Sequence, residues 1–210
     1  GDSWALQGLA PNITPRGMIA VRRDLLFLAT AEGLFRLRVP CAELVRNGNC
    51  ELLAVWDFPV TPITADYSTE QAHSPARSIR VGLTTATNKL GYSSARQRIT
   101  LPSTLVTATL TAWLYPVSTG TQMARLNAEA TTLPATMAGD AQYVLLLDDQ
   151  GNILRQLLWT RSNSQHWDAY SFNLNDYIGR SFWLLFGTYN DGAGGKTGMY
   201  VDDVSLSGCR

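Results

Sequence analysis

The stretch Thr197–Cys209, "TGMYVDDVSLSGC", decides how the rest of the sequence is interpreted. Its apolar and polar residues alternate as in a β-strand, except that two carboxylates, Asp202 and Asp203, stand side by side in the middle. Successive side chains of a strand point to opposite faces, so one of the two aspartates has to turn toward the interior. A buried carboxylate is costly unless other groups compensate it. We therefore look for a compensating group elsewhere in the chain.

Composition limits the classes of protein that this chain can belong to. Its 210 residues are enough for one large β domain, or for one domain with a smaller appendage. The formal net charge is zero and only 16% of the residues are charged, which argues against nucleic acid as a partner. The longest apolar runs, such as Tyr143–Leu147, are far shorter than the roughly 20 residues that span a bilayer. We expect no membrane insertion.

The chain from Cys41 onward is a succession of short strand-like runs separated by turns. "DDQGN", residues 148–152, lies between two apolar runs and is the clearest hairpin signal. No segment has sustained helical periodicity, although residues 122–140 could hold a turn of helix or a mobile loop. The pattern predicts an all-β jelly-roll β-sandwich of two antiparallel sheets, residues 41–210. The predicted strands lie at about 43–47, 63–68, 78–83, 93–101, 105–115, 142–148, 153–160, 167–174, 181–189 and 198–206.

Residues 1–40 differ from the rest and are predicted to form a short N-terminal β-hairpin extension. Two strand-like runs flank the turn "AEG" at residues 31–33, and Pro40 ends the second run. "LFLATAEGLFRLRV" resembles one repeat of the sialidase-type β-propellers. One repeat cannot bury its own faces, so it is either part of a longer array or a set of extra strands on the following domain. We favour the extra strands, because the remaining chain has no second repeat.

Alternation within two predicted strands identifies their faces. In "TATLTAWLY", residues 107–115, the alanines and leucines share one side, which we assign to the core. Trp113 and Tyr115 share the other side with three threonines, which is either a solvent face or a groove lined by aromatic rings and hydroxyls. "SFWLLFGTY", residues 181–189, is apolar on both sides and is predicted to be a central strand that is covered on both faces.

Two motifs at the ends of this domain resemble the boundary motifs of galactose-binding-like jelly-roll carbohydrate-binding modules. "ELVRNGNCELLAVW", residues 43–56, resembles their opening pattern Asn-Gly-x-Phe-Glu followed by Trp, with Cys50 in place of the usual Phe. "TGMYVDDVSLSGC" resembles the closing pattern Asp-Asp-Val-x-Leu, and "AHSPARSIRVG", residues 72–82, resembles an internal segment with Pro75 at a usual Gly. The similarity covers roughly residues 42–208 and is shared by modules that bind no sugar.

The resemblance implies that the first and last strands lie side by side and antiparallel, bringing the opening motif to the aspartate pair. Carboxylates gathered there repel one another unless a cation lies among them, and Ca²⁺ prefers such oxygen ligands. The implied ligands of a structural calcium ion are Glu51, Asp202 or Asp203, and backbone oxygens near Asn49 and from Ser74 to Arg77. The alternatives are that both aspartates are solvated at a strand end, or that one accepts backbone N–H bonds.

The same implied pairing brings Cys41, just before the first strand, close to Cys209, just after the last. A disulfide between them would close nearly the whole domain. The alternative is three free thiols, with Cys50 buried in either case.

Carbohydrate-binding modules of this kind hold sugars by stacking aromatic rings on pyranose faces, with polar side chains fixing the hydroxyls. Any single aromatic residue here is more often a packing residue than a ligand contact, and the sequence does not say which of them converge. The predicted ligand-binding residues are Trp113, Tyr115, Trp159, Trp167, Tyr189 and Arg98.

The sequence contains no G-x-S-x-G, H-E-x-x-H, phosphate-loop or G-x-G-x-x-G motif, and we predict that the chain is not an enzyme. The alternative is a glycosidase pair of carboxylates such as Asp148 with Asp168, which the sequence leaves open. Two functions remain. One is a secreted, non-catalytic carbohydrate-binding module whose partner is a polysaccharide or glycan, within a larger extracellular or cell-surface protein. The other is a structural or protein-interaction jelly roll that accompanies a secreted protease or cell-surface protein without binding sugar. An exposed aromatic strip on one sheet favours the first, and a flat Thr/Ser face with all Trp buried favours the second.

Overall fold

The computed structural model describes residues 15–22, 25–30, 33–38, 41–85 and 87–210. The described residues form thirteen strands and a single turn of 3₁₀ helix, Asn175–Tyr177, as the all-β pattern predicts. Nine of the ten strands predicted after residue 40 are present, with boundaries shifted by a few residues, whereas the strand predicted at 43–47 shares only Glu43 with the observed strand Cys41–Glu43. The strands are β1 Pro15–Arg22, β2 Leu25–Thr30, β3 Gly33–Arg38, β4 Cys41–Glu43, β5 Asp66–Ser68, β6 Ser78–Gly82, β7 Leu90–Thr100, β8 Thr107–Ser118, β9 Ala141–Leu147, β10 Ile153–Thr160, β11 Asp168–Asn173, β12 Ser181–Asp191 and β13 Thr197–Cys209.

The chain divides into two compact units, residues 1–42 with 209–210 and residues 43–208. The first unit contains a three-stranded antiparallel sheet in the order β1-β2-β3. The hairpin predicted around residues 31–33 is β2 and β3, and β1 adds a strand that the sequence pattern did not separate. Charged residues 22–24 divide the run before the turn into two apolar stretches, which is why it supplies two strands.

The second unit is a sandwich of two sheets. Four strands form one sheet in the order β10-β9-β12-β7. The other sheet has six strands. Five of them lie in the order β11-β8-β13-β6-β5, and the sixth, β4, also pairs with β13. One apolar core fills the space between them, and it includes Trp56 and the buried side of β8. No helix among the described residues is long and apolar enough to cross a membrane.

Both predictions drawn from strand alternation are confirmed. The alanines and leucines of β8 are at most 2% exposed, whereas the opposite side of the strand is not fully buried. In β12, Phe182 and Phe186 pack into the core between the sheets, while Leu185 and Tyr189 belong to a second apolar cluster on the outer face.

The loop of residues 122–140, which contains no helix, covers the outer face of the four-stranded sheet. Leu133 and Met137 pack against the second cluster. The loop is held by hydrogen bonds from Trp159 Nε1 to the Ala124 carbonyl (2.8 Å) and from the Met137 N–H to the Tyr189 hydroxyl (2.8 Å). Aromatic side chains on this face are therefore largely enclosed.

Candidate functional site

The opening motif lies against the end of the chain, as the resemblance implies. The Leu44 N–H donates to the Leu206 carbonyl (3.0 Å), and the Val204 N–H donates to the Gly48 carbonyl (2.9 Å). A Cβ atom at Gly48 would lie 1.8 Å from the Val204 carbonyl oxygen, so this close approach requires glycine. We call this junction of residues 43–51 with β13 the seam.

Asp202 is the fully buried member of the aspartate pair. Its carboxylate accepts backbone N–H bonds from His73 (2.8 Å), Ser74 (2.9 Å) and Asp203 (2.7 Å). Burial raises the pKa of the Asp202 carboxyl above its usual range, and these three donors act in the opposite direction. The hydrogen bonds fix the segment at His73 and Ser74 onto β13.

The other predicted calcium ligands are also at the seam. Glu51 Oε1 accepts the N–H groups of Ala76 (2.9 Å) and Arg77 (3.0 Å). Ser74 Oγ lies 3.4 Å from the Asn49 carbonyl oxygen and within 3.4 Å of both carboxylate oxygens of Asp202. Within the described part of the chain, no group of three or more His, Cys, Asp or Glu residues is arranged as a metal site. N–H donors occupy the Asp202 carboxylate and one oxygen of Glu51, so the set fits Ca²⁺ only in part.

A disulfide joins Cys41 in β4 to Cys209 at the end of β13, as predicted. The third cysteine, Cys50, is a fully buried free thiol, and burial raises its pKa. Cys50 lies in the core between the sheets, so it fills an apolar position, as the Phe-to-Cys departure from the motif suggested.

Three of the predicted ligand-binding aromatics converge on the outer face of the six-stranded sheet. Trp113 and Tyr115 come from β8, and Trp167 immediately precedes its neighbour β11. The Tyr115 and Trp167 rings meet edge to face with centroids 5.6 Å apart. Each of the three is partly exposed. A fourth ring, His73, stacks on Trp113 with centroids 4.0 Å apart and meets Trp167 at 5.6 Å. We call these four side chains the aromatic patch.

His73 is a functional candidate that the sequence analysis missed. It reaches the patch from the loop before β6, and its Nδ1 atom lies 2.6 Å from the Asp203 carboxylate. Asp203 is thus the outward-facing aspartate, and it anchors an aromatic ring of the patch. The only available signal was its place in the motif segment "AHSPARSIRVG", next to residues already assigned to the seam.

The remaining predicted ligand-binding residues lie on the four-stranded sheet. Trp159 is stacked on Tyr143 with centroids 5.0 Å apart, beneath the loop of residues 122–140. Tyr189 is fully buried, and its hydroxyl donates to the Met137 carbonyl (3.0 Å). Arg98 forms an exposed ion pair with Asp149 at 2.7 Å. The structure does not bring these three residues to the aromatic patch.

Short side chains surround the patch on the same sheet. Ala169 on β11 pairs with Trp113, and Ser171 pairs with Thr111. Both β11 residues are exposed, so the indole of Trp113 has an open neighbour on that side. The outer face therefore has the aromatic strip expected of a carbohydrate-binding module. It also has some of the hydroxyl-bearing side chains expected of a protein-interaction jelly roll.

No family model matches this sequence, and no curated protein matches it. Solved structures do match in fold. TmCBM61, a structure described in complex with β-1,4-galactotriose, is 11% identical with a TM-score of 0.51, covering 79% of this chain and 97% of its own. A family 16 carbohydrate-binding module is 18% identical with a TM-score of 0.45, covering 78% and 98%. The K3 adhesin domain of Lys-gingipain from Porphyromonas gingivalis is 15% identical with a TM-score of 0.46, covering 80% and 99%.

The fold of this chain is therefore a β-sandwich like that of carbohydrate-binding modules, as the boundary motifs implied. At these identities the likeness concerns the fold alone.

Proposed function

We propose that the β-sandwich is a non-catalytic carbohydrate-binding module whose sugar site is the aromatic patch. The observation that carries this proposal is the convergence of Trp113, Tyr115, Trp167 and His73 on one partly exposed sheet face. A pyranose ring stacks its apolar C–H face on such rings, and nearby polar groups orient its hydroxyls.

The arrangement of the patch favours binding over chemistry. His73 is fixed by stacking on Trp113 and by the Asp203 carboxylate, so the rings are held before the ligand arrives. His166, beside Trp167, pairs with Asp168 at 3.0 Å, which adds hydrogen-bonding groups at the rim. The polar groups supply orientation, and no reaction step is assigned to them.

Replacing Trp113 with alanine tests the proposal directly. We expect the variant to bind about thirtyfold more weakly than the unmodified protein to any polysaccharide that the unmodified protein binds. The reason is that a central aromatic contact contributes about 2 kcal/mol of binding free energy. Affinity gel electrophoresis on a polysaccharide panel, followed by calorimetry on the best ligand, measures the loss.

Trp159→Ala is the matched control for that variant. Trp159 lies on the opposite sheet, so its loss should lower the melting temperature and leave the affinity unchanged. Equal loss of affinity in both variants would contradict the assignment. If the unmodified protein binds none of the polysaccharides in the panel, that result would favour the protein-interaction jelly roll.

We further propose that the protein is secreted and that a structural calcium ion lies at the seam. The disulfide supports an oxidising compartment, and the module would then serve a larger extracellular or cell-surface protein. The ligands that we assign to this ion are the Asn49 carbonyl, Glu51 and Asp203, which are oxygen donors of the kind that calcium prefers.

Chelation tests the calcium ion. If the ion is structural, EDTA lowers the melting temperature and excess Ca²⁺ restores it, because a ligand that binds only the folded state stabilises it. An unchanged melting temperature would leave the hydrogen bonds of Asp202 as the interactions that hold the seam.

A further inference from the structure

A second cavity lies on the same sheet, beyond the aromatic patch. It has a volume of about 320 Å³ and opens between β6 and the segments that flank β5 and β7. We call it the lysine pocket and define it by Pro62, Thr64, Arg80, Thr84, Thr85 and Lys89. Its volume is at the lower end of the range for ligand sites, which suits one sugar unit.

Tyr200 connects the aromatic patch to the lysine pocket. Its ring meets that of Tyr115 edge to face, with centroids 5.9 Å apart. Tyr200 pairs in register with Arg80 on β6, and Arg80 lines the pocket. Since neighbouring strands lie about 4.8 Å apart, the backbone of β6, which carries Arg80, lies about 10 Å from that of β8, which carries Trp113 and Tyr115. A short oligosaccharide that crosses the strands covers that distance.

The two cations of the pocket differ in their partners. Arg80 is held by Asp66 at 2.8 Å and by Glu70 at 3.0 Å, so its charge is already compensated. Glu70 in turn accepts a hydrogen bond from the Tyr200 hydroxyl (2.5 Å), which fixes this wall of the pocket. Burial and this hydrogen bond raise the pKa of Tyr200 to about 12, so the hydroxyl stays protonated as the donor.

Lys89 is the cation of the pocket that has no ion-pair partner among the described residues. Its ammonium donates to the Pro62 carbonyl (2.7 Å). An ammonium has three donors, so Lys89 retains capacity for a ligand. A carboxylate or sulfate group would form a charge-assisted hydrogen bond there, which is stronger than a bond to a neutral hydroxyl.

We propose that the lysine pocket is a subsite for an anionic sugar unit, a uronate or a sulfated sugar, at one end of a glycan whose other end stacks on the aromatic patch. This inference rests on the proposed function and specifies its ligand class. The threonine hydroxyls of the pocket bind the ring hydroxyls, and Lys89 selects for the negative charge.

The test uses a glycan array that presents uronate-containing and sulfated glycans beside neutral counterparts of the same backbone, followed by affinity electrophoresis on polygalacturonate and its methyl ester. We expect the protein to prefer the charged member of a pair and to bind it less tightly as NaCl is raised. Lys89→Met should weaken binding of the charged ligand about tenfold and leave the neutral counterpart unchanged. The carboxylate and sulfate arms of the array distinguish the two kinds of anionic sugar.

Lys196→Met is the matched control, because Lys196 is the only other lysine of the chain and lies outside the pocket. It should leave the preference intact. Equal binding of charged and neutral glycans, or an unchanged preference in Lys89→Met, overturns the inference. If neutral glycans alone bind and Trp113→Ala abolishes that binding, the proposed function stands and only the lysine pocket fails. If no glycan binds, both fail.

Discussion

Replacing Cys41 and Cys209 together with serine should lower the free energy of unfolding by about 5 kcal/mol. The disulfide links residues 168 positions apart, so it constrains nearly the whole unfolded chain. Loop-closure entropy for a loop of that length corresponds to about 5 kcal/mol at 25 °C. This is a large fraction of the 5–15 kcal/mol that is typical of a folded domain.

Urea unfolding followed by tryptophan fluorescence measures the loss. Five of the six tryptophans lie within residues 43–208, so the signal reports mainly on the sandwich. A reducing agent provides an internal control, because it should bring the unmodified protein down to the stability of the double variant and leave the variant unchanged. A reductant effect of equal size on both proteins would contradict the assignment, because the reductant would then be acting on something other than the Cys41–Cys209 disulfide.

The fold could be predicted well from the sequence because its strands follow simple alternation. The buried side of β8 and the double burial of β12 follow from residue periodicity alone. The seam followed from two motifs about 150 residues apart, which only a family resemblance could connect. The extra strand β1 was missed because alternation alone does not mark the end of a strand, and the charged residues 22–24 were the only sign of the division.

The candidate site could be predicted only in part, for reasons of long-range geometry. Trp113 and Tyr115 share a face by alternation, but Trp167 joins them only through the pairing of β11 with β8. His73 comes from a loop that Asp202 and Asp203 hold on β13, and no local pattern contains that contact. Trp159 and Tyr189 are of the residue types that line sugar sites, but the loop of residues 122–140 covers them.

Asp202→Ala should destabilise the protein by about 3 kcal/mol and weaken glycan binding as well. The substitution leaves three partly buried backbone N–H groups, those of His73, Ser74 and Asp203, without the carboxylate acceptor. Each unsatisfied buried donor costs about 1–3 kcal/mol, and the freed segment can relax to recover part of that loss. Because the same segment carries His73 to Trp113, the aromatic patch loses its preorganisation.

Asp203→Asn is the adjacent control for Asp202→Ala. Asp203 is partly exposed and its backbone has a φ of 44°, a left-handed conformation that asparagine tolerates well. With EDTA present we expect less than about 1 kcal/mol of destabilisation, since only the contact with His73 then changes. In excess Ca²⁺ the loss of a proposed ligand adds to that effect. Urea unfolding of both variants, repeated with EDTA and with excess Ca²⁺, separates the hydrogen bonds of Asp202 from any bound cation. If the two variants lose equal stability, the buried carboxylate is not what holds the seam, and the two aspartates act together as cation ligands.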